Sequence, residues 1–459
     1  MSVISADELH RTAKYFMDNG EAASHSEAMA ILESFSLSIR VSHSIATAAA
    51  EQTALLTLVN LAARTFLGGV DVVGLPDVVA VTPLFAGCNL RKVVVELGGE
   101  LTADEGYSPN RPTALIGDVA DIVSNMPQWR LTWEGWRGGV TMAKAGLRLA
   151  EEQPVGLAPV LAAAVCAAEV FAFHSRTHPL AGRRSLGMSL WNPAADWLDP
   201  SNEPPLSFLP SSLWIIGLGN LGQAFAWSLA SLDYDDGHNT KLVLQDIDRI
   251  ASSNHSTSLL SFPNDVGVKK ARVVAKWLDQ RGFDTVVEER LFGEWTRTAP
   301  SEPGVALCGV DNPEARVALE NAGFGLVVEA GLGAGLDSFR SIGLHTFPAS
   351  RSAGSIWGKH IGQGNQSFRA APAYASLAAE GMDECGLVQL ASRTIAVPFV
   401  GLIAGCLVIA EVLRRLHAGV AIEVLSTSTL ALGDAEVVVA NGSAPYAFGF
   451  TQGRQSQVR

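Results

Sequence analysis

Short apolar runs alternate with longer stretches of helical periodicity through the second half of this 459-residue chain. The apolar runs that we predict to be strands lie at 213–216, 241–245, 286–291, 304–308 and 326–329. The stretches that we predict to be helices lie at 221–232, 268–278 and 312–322. Strands that alternate with helices favour a parallel, doubly wound α/β sheet.

The first half contains a weak copy of this pattern. An Ala-rich stretch at 156–170 starts with Gly-Leu and ends in Ala-Glu-Val, and so does a stretch at 401–412. We interpret the halves as two copies of one α/β unit, although Ala-rich core helices also resemble one another by chance. Both stretches are predicted to be buried helices, because one contains Glu169 and the other is too short to span a membrane.

A segment rich in proline and acidic residues separates the halves. Residues 191–209 contain four prolines and three acidic residues, which is typical of a linker. We therefore expect one domain over 1–195, a linker over 196–206 and a second domain over 207–459. Within the second domain, residues 341–384 are rich in Gly, Ser and Ala with little periodicity, so we expect a long exposed crossover loop there.

Composition and charge argue against several classes of function. A net charge of -13 argues against a nucleic-acid binder. Five scattered cysteines without a Cys-x-x-Cys pair indicate a reducing compartment and offer no zinc clamp. The N-terminus lacks the order of a signal peptide, so we expect a cytoplasmic protein that binds no membrane. His174 and His178 are spaced like a metal pair, but no third ligand is nearby.

A Gly-rich turn follows the first predicted strand of the second half. Gly217, Gly219 and Gly222 would let backbone N–H groups approach a phosphate at the start of the next helix. Asp246 lies 24 residues after Gly222, at the end of the next strand, where a carboxylate can bind ribose. A dinucleotide-binding dehydrogenase would look the same up to this point.

The residues that follow depart from a dehydrogenase. They are Asp248, Asn254, Lys270, Asp311, Asn312 and Arg316. With them the chain resembles the ThiF-like adenylating superfamily, well over 211–331 and fairly over 385–417. The resemblance implies two Rossmann-like adenylation-type lobes with mainly parallel, doubly wound sheets, and it implies ATP and Mg²⁺ as cofactors.

The resemblance also assigns roles. It implies that Asp246 holds ribose, Asn254 lies near the phosphates, Lys270 contacts them, and Asp311 binds Mg²⁺. Asp248 and Asn312 belong to the same nucleotide site. A lysine that neutralises charge during attack on the α-phosphate suits this chemistry. Two other interpretations stay open: Lys270 as a solvated helix lysine, and Asp311 as the N-cap of the helix that starts at Pro313.

The chain lacks one element of that family's pattern. Where the family has Asn-Leu-x-Arg-Gln, this chain has Asn254-His-Ser-Thr257-Ser258, without the arginine. We hypothesise that the first half lends Arg11 to the second as a catalytic residue. The first half has no glycines after its first predicted strand, at 39–44, so we expect it to be inactive.

Cys385 is a candidate nucleophile. It precedes Gly386 and the Ile395–Gly401 stretch, an order that resembles bacterial activating enzymes of ubiquitin-like conjugation operons, which serve in antiphage defence. The resemblance implies a ubiquitin-like substrate, a thioester on Cys385, a conjugating enzyme as acceptor and a possible homodimer. Its acidic neighbours do not favour a thiolate, so a cation such as Arg393 would have to help. The alternatives are adenylation without a thioester, an NAD(P)-dependent oxidoreductase, and a scaffold with two inactive lobes.

Overall fold

The protein contains two α/β sheets. The computed structural model describes residues 5–103, 106–121, 123–200, 202–235, 237–360, 371–442 and 445–454. The strands of the first sheet are β1 (Leu37–Val41), β2 (Val70–Val73), β3 (Glu100–Thr102), β4 (Thr113–Ile116), β5 (Gln128–Glu134), β6 (Arg137–Met142) and β7 (Leu186–Ser189). The helices of this half are α1 (Ala13–Asp18), α2 (His25–Glu33), α3 (Ala49–Ala63), α4 (Leu90–Glu96) and α5 (Leu157–His174).

The second half repeats the design with one extra strand. A small ribbon pairs β8 (Phe208–Pro210) with the chain's last described strand, β17 (Phe450–Gln452). The strands of the second sheet are β9 (Ser212–Ile216), β10 (Lys241–Gln245), β11 (Asp284–Glu288), β12 (Val305–Cys308), β13 (Leu326–Leu332), β14 (Ser341–Phe347), β15 (Ile422–Ser428) and β16 (Ala431–Val439). The helices are α6 (Asn220–Ala230), α7 (Lys270–Asp279), α8 (Pro313–Ala318), α9 (Ala353–Trp357), α10 (Pro372–Ala379), α11 (Glu384–Ser392) and α12 (Pro398–Leu416).

The first seven strands of the second sheet have the same topology as the seven strands of the first sheet. Their strand orders are β3-β2-β1-β4-β5-β6-β7 and β11-β10-β9-β12-β13-β14-β15-β16. The first five strands of each order are parallel, and the remaining pairs are antiparallel. This correspondence confirms the predicted fold class, two Rossmann-like lobes with mainly parallel sheets.

Four apolar helices join the halves. Helix α12 packs on α6 and on α5, and α5 packs on α3. The approach of α12 to α6 is close, because a Cβ atom at Gly401 would come within 2.1 Å of the Asn220 amide oxygen. Helix α5 is long and apolar enough to cross a membrane, but 89% of it is buried inside the protein. Both Ala-rich stretches are thus buried helices, as predicted.

The expected loop over 341–384 is wrong for most of its length. The segment begins with strand β14, which pairs with β13 and β15, and continues with α9 and α10. The prediction missed these elements because the segment is rich in small residues, and glycine disfavours both strands and helices, although the side chains of β14 do alternate in burial. Residues 361–370 of the expected loop lie outside the described residues.

Candidate nucleotide-binding site

A cavity of about 420 Å³ lies at the carboxyl ends of the parallel strands of the second sheet. Ligands of open α/β sheets bind at this edge, where the strand order reverses. Here β9 stands between β10 and β12, so the segments that follow these three strands face one space. The predicted site residues that line the cavity are Arg11, Gly217, Gly219, Asp246, Asp248, Asn254, Lys270, Asp311 and Asn312.

The Gly-rich turn is shaped by its first and last glycines. Gly217 has a φ of 80°, which side-chain-bearing residues rarely adopt. A Cβ atom at Gly222 would lie 1.8 Å from the Gly217 carbonyl oxygen, so a side chain cannot fit. Gly219 is different, because a Cβ atom there would meet nothing within 4 Å. The first and last glycines therefore build the turn, whereas Gly219 leaves open space beside it.

Asp246 and Asp248 link the Gly-rich turn to helix α7. The Asp246 carboxylate accepts hydrogen bonds from the backbone N–H of Leu218 at 2.6 Å and of Asp248 at 2.7 Å. The Lys270 ammonium group, at the start of α7, donates to the Asp248 carboxylate at 2.8 Å. Lys270 thus points across the cavity mouth and is not a solvated lysine on the helix surface.

Asp311 is exposed and forms no hydrogen bond or salt bridge with the part of the chain that the structure describes. The interpretation of Asp311 as a helix cap is wrong. The cap of α8 is Asn312, whose side-chain oxygen accepts from the backbone N–H of Glu314 at 2.8 Å. The carboxylate of Asp311 is a hard oxygen donor free to face a ligand, which is the donor type that Mg²⁺ prefers. Asp311 therefore fits a magnesium ligand.

Arg11 reaches this cavity from the first half. Its guanidinium donates to the Thr394 carbonyl at 2.6 Å, and its backbone N–H donates to the Ser256 hydroxyl at 3.1 Å. Burial lowers the pKa of Arg11 to about 10, and the nearby charge of Asp311 opposes this change. The side chain remains cationic at neutral pH, and its Nε atom is buried without a hydrogen-bond partner among the described residues.

The segment that carries Asn254 is held by an arginine that we did not predict. Arg64, which caps the end of α3, is 2% exposed. It donates to the carbonyl oxygens of His255, Leu259 and Ser261 at 2.5, 2.9 and 2.9 Å. Asn254 itself accepts from the Ala251 N–H at 2.9 Å and thereby closes its own turn. No motif marks Arg64, because its partners are backbone carbonyls nearly two hundred residues away.

The sequence analysis did not predict several other residues that line the cavity. The predicted strand 286–291 ends instead at Glu288, so Leu291 leaves the sheet and lines the cavity with Phe292. Thr394, Ile395 and Ala396 also line the cavity. These residues are apolar or make backbone contacts, and such types carry no local signature of a binding site.

Cys385 lies apart from this cavity. It is exposed and is the second residue of α11, not a loop residue as expected. Arg393, the cation that we expected to assist it, instead donates to the Ala6 carbonyl at 2.6 Å and pairs with Asp7. Cys166, Cys308 and Cys406 are buried, and burial raises the pKa of each thiol, to about 12 for the last two.

The first half has an acid where a phosphate would lie. In the turn after β1, the Glu51 carboxylate accepts hydrogen bonds from the hydroxyls of Ser44 at 2.6 Å and Ser42 at 3.2 Å. A Cβ atom at Gly117 would come within 2.7 Å of the same carboxylate. Burial raises the pKa of Glu51. The turn thus contains a carboxylate of its own.

No group of three metal-ligating side chains occurs in the described ranges. His174 is stacked on Phe35, and its Nε2 atom lies 2.9 Å from the Ser36 carbonyl oxygen. These contacts indicate that His174 has a structural role in the core of the first half.

Comparison with known proteins gives matches over nearly the whole chain. The family model described as the BilD N-terminal domain matches residues 36–190, and that of the BilD C-terminal domain matches residues 209–419. The chain is 56% identical over 445 residues to the bacterial E1-like protein BilD of Collimonas sp. (strain OK412), which covers 97% of this chain and 96% of that protein.

Solved structures match less closely. MccB of E. coli, in a crystal structure with ATP, aligns with a TM-score of 0.32 and 12% identity over 51% of this chain and 65% of that chain. TcdA of E. coli, a tRNA N6-threonylcarbamoyladenosine dehydratase, aligns with a TM-score of 0.29 and 15% identity over 45% of this chain and 86% of that chain. The family assignment therefore depends on the sequence matches.

Proposed function

The chain belongs to the BilD family of bacterial E1-like proteins, and from this premise we propose that it activates the C-terminal carboxylate of a ubiquitin-like protein by adenylation with ATP. The observation that carries the proposal is the composition of the cavity. Open space beside Gly219, an acid at a strand end, two cations and a carboxylate without a partner among the described residues face one space. A dinucleotide needs only the first two of these features, whereas cleavage of a triphosphate uses all of them.

We propose that the nucleotide lies with its phosphates beside the Gly-rich turn and its ribose near Asp246. The amino end of α6 favours an anion at that position. Leu291 and Phe292 offer an apolar wall for the base. Asp246 already accepts two backbone N–H groups, and its remaining lone pairs can accept ribose hydroxyls.

In the first reaction an oxygen of the substrate carboxylate attacks the α-phosphorus, the bond to the bridging oxygen breaks, and pyrophosphate leaves. Negative charge grows on the phosphate oxygens, and Lys270 and Arg11 supply opposite charge. Arg11 takes the role of the arginine missing at Thr257. Bound Mg²⁺, held by Asp311 and the phosphates, would supply further charge neutralisation.

In the second reaction the thiolate of Cys385 attacks the acyl carbon, AMP leaves with the mixed-anhydride oxygen, and a thioester forms. The acyl group then passes to the cysteine of a conjugating enzyme by the same exchange. Cys385 lies in the first turn of α11, whose amino end is capped by the Asp383 carboxylate accepting from the Gly386 N–H. The thiol is therefore next to a carboxylate, and Arg393 is engaged with Asp7.

One observation favours a second candidate, adenylation without a thioester. Cys385 does not line the cavity, and the length of α11 separates it from Thr394 by on the order of 10 Å. Thioester formation therefore requires α11 to move, whereas adenylation alone does not.

The experiment that tests adenylation is ATP–pyrophosphate exchange. The purified chain is incubated with ATP, labelled pyrophosphate and each small ubiquitin-like protein encoded beside it. Label should enter ATP only when the right protein with an intact C-terminus is present. If no candidate supports exchange although ATP binds, the chain does not activate such a carboxylate.

Cys385 is tested by trapping the acyl-enzyme. With the active substrate, a covalent complex that disappears on reduction should form in the native chain and in Cys88→Ala, but not in Cys385→Ala. Cys88 is a matched control because it is also exposed. Exchange should persist in both variants. Normal exchange with no reducible complex in the native chain would select the second candidate.

The same proposal includes the organisation expected from sequence: an inactive domain over 1–195, a linker over 196–206 and an active domain over 207–459. The occupied turn at Glu51 supports inactivity of the first half, because a buried carboxylate repels a phosphate. We also propose a cytoplasmic setting in an antiphage conjugation operon, with a homodimer as a possible assembly.

A further inference from the structure

Each half has a cavity at the amino ends of its parallel strands, whereas the candidate nucleotide site lies at the carboxyl ends of the strands of the second half. In the first half it measures about 710 Å³ and lies between the start of β5, the end of β6 and the end of α5. In the second half it measures about 440 Å³ and lies between the start of β13, the end of β14 and the end of α12. These elements correspond one to one in the two sheets, so the two cavities are equivalent positions of the repeat.

The second-half cavity is lined by a segment of the chain itself. Residues 440–442, 445, 446 and 448, which follow β16, line it. Phe448 packs against the backbone, because a Cβ atom at Gly325 would come within 2.3 Å of its ring. Tyr446 stacks edge-to-face on Phe448 at 5.3 Å between ring centres. The position is therefore one that accepts a peptide segment with aromatic side chains.

The first-half cavity has no such cover among the described residues, and its charge is unusual. Lys144, Arg176 and Arg183 line it, all three are exposed, and none forms a salt bridge or a side-chain hydrogen bond with a described partner. No acidic residue is among the described residues that line it. Phe173, Pro127 and Met142 are apolar residues that also line it. The chain as a whole has a net charge of -13. A cavity whose charged lining residues are all positive therefore differs from the molecule as a whole.

We propose that this basic cavity, defined by Lys144, Arg176 and Arg183 around Phe173, binds an acidic segment of a protein partner that carries at least one aromatic residue. The three cations can pair with carboxylates of the segment. The apolar lining residues can pack against its aromatic ring, as the protein packs against Phe448 in the second half. The inference uses the repeat and the charge pattern, and it holds whether or not the chain adenylates a substrate.

Fluorescence anisotropy with a labelled peptide tests the proposal on the full chain. The probe is a glutamate-rich decapeptide with one central phenylalanine, and its companion has alanine there. The native chain should bind the phenylalanine peptide more tightly, and binding should weaken as salt is added. Arg176→Glu with Arg183→Glu should weaken binding by about tenfold or more.

A matched double variant changes net charge equally elsewhere. Arg91 and Lys276 are also exposed and have no described partner, so Arg91→Glu with Lys276→Glu should leave peptide binding unchanged. Circular dichroism checks that both variants fold, and pyrophosphate exchange should be the same in both. Equal peptide binding in both variants would overturn the proposal. So would full displacement by inorganic phosphate with no preference for the aromatic peptide, since the cavity would then be a site for small anions.

Discussion

Lys270 and Asp248 satisfy each other when no ligand is bound, so a phosphate must compete for the lysine. The Lys270 side chain is 12% exposed and that of Asp248 is 62% exposed. An ion pair with one solvated partner contributes roughly 0–1 kcal/mol to folding. The lysine can therefore change partners at little cost, which suits a group that neutralises charge only during the reaction.

This gives a prediction for Lys270. Lys270→Ala should lower the rate of pyrophosphate exchange by about 100-fold, because one charged group that stabilises the transition state is lost. Its thermal unfolding should change little. Lys276→Ala removes an exposed lysine of the same helix and should leave exchange unchanged. Equal exchange rates in the two variants would remove Lys270 from the mechanism.

The sequence predicted which residues line the cavity better than it predicted the contacts that those residues make. Every predicted nucleotide-site residue except Gly222 lines it, because strand ends in a parallel sheet must converge. The sequence analysis considered Asp311 as the cap of α8 and did not consider Asn312, which is the observed cap, because both side chains cap helices well. It also could not find Arg64, whose partners are backbone carbonyls on another element.

The Gly-rich turn gives a prediction at the scale of the element. Gly219→Ala should leave the free energy of unfolding nearly unchanged, because a Cβ atom there meets nothing within 4 Å. It should weaken ATP binding by about tenfold or more if phosphates approach that backbone. Isothermal titration calorimetry and chemical denaturation measure the two effects.

Gly222→Ala is the contrasting variant of the same turn. The new Cβ atom would meet the Gly217 carbonyl oxygen at 1.8 Å, so the turn must distort and stability should fall by roughly 1–3 kcal/mol. Unimpaired ATP binding in Gly219→Ala would place the phosphates away from the turn.

Elements with strong periodicity were predicted, and elements built from small residues were not. Strand β14 contains Gly343 between the buried residues Ile342 and Leu344, and it was expected to be loop. Helix α11 was missed as well, although Asp383 caps it by accepting from the Gly386 N–H at 2.7 Å. In both cases tertiary contacts supply what the local pattern lacks.

At the scale of the whole molecule, buried histidines set the response to acid. Seven of the ten histidines have a pKa below the usual value, chiefly because of burial. An unfolded histidine takes up a proton near pH 6.5, whereas His10 in the folded chain does so at about 4. Below pH 6.5 the unfolded state therefore binds more protons, and stability falls as pH falls.

We therefore expect the melting temperature to drop between pH 7 and pH 5. His10 alone should contribute about 2 kcal/mol of this loss at pH 5. The raised pKa of Glu51 acts in the opposite direction, but it is a single group. His10→Gln should flatten the pH dependence, and a melting temperature independent of pH over this range would contradict the expectation.

The carboxylate of Glu51 makes it difficult for the first half to gain a nucleotide site by substitution. Returning glycines to positions 42 and 44 would leave a negative charge in the turn without its two hydroxyl partners. Removing Glu51 alone would keep both serine side chains in the turn, where their hydroxyls already hydrogen-bond each other. A phosphate could approach this backbone only after the carboxylate and both side chains are replaced, so no single substitution restores a second nucleotide site.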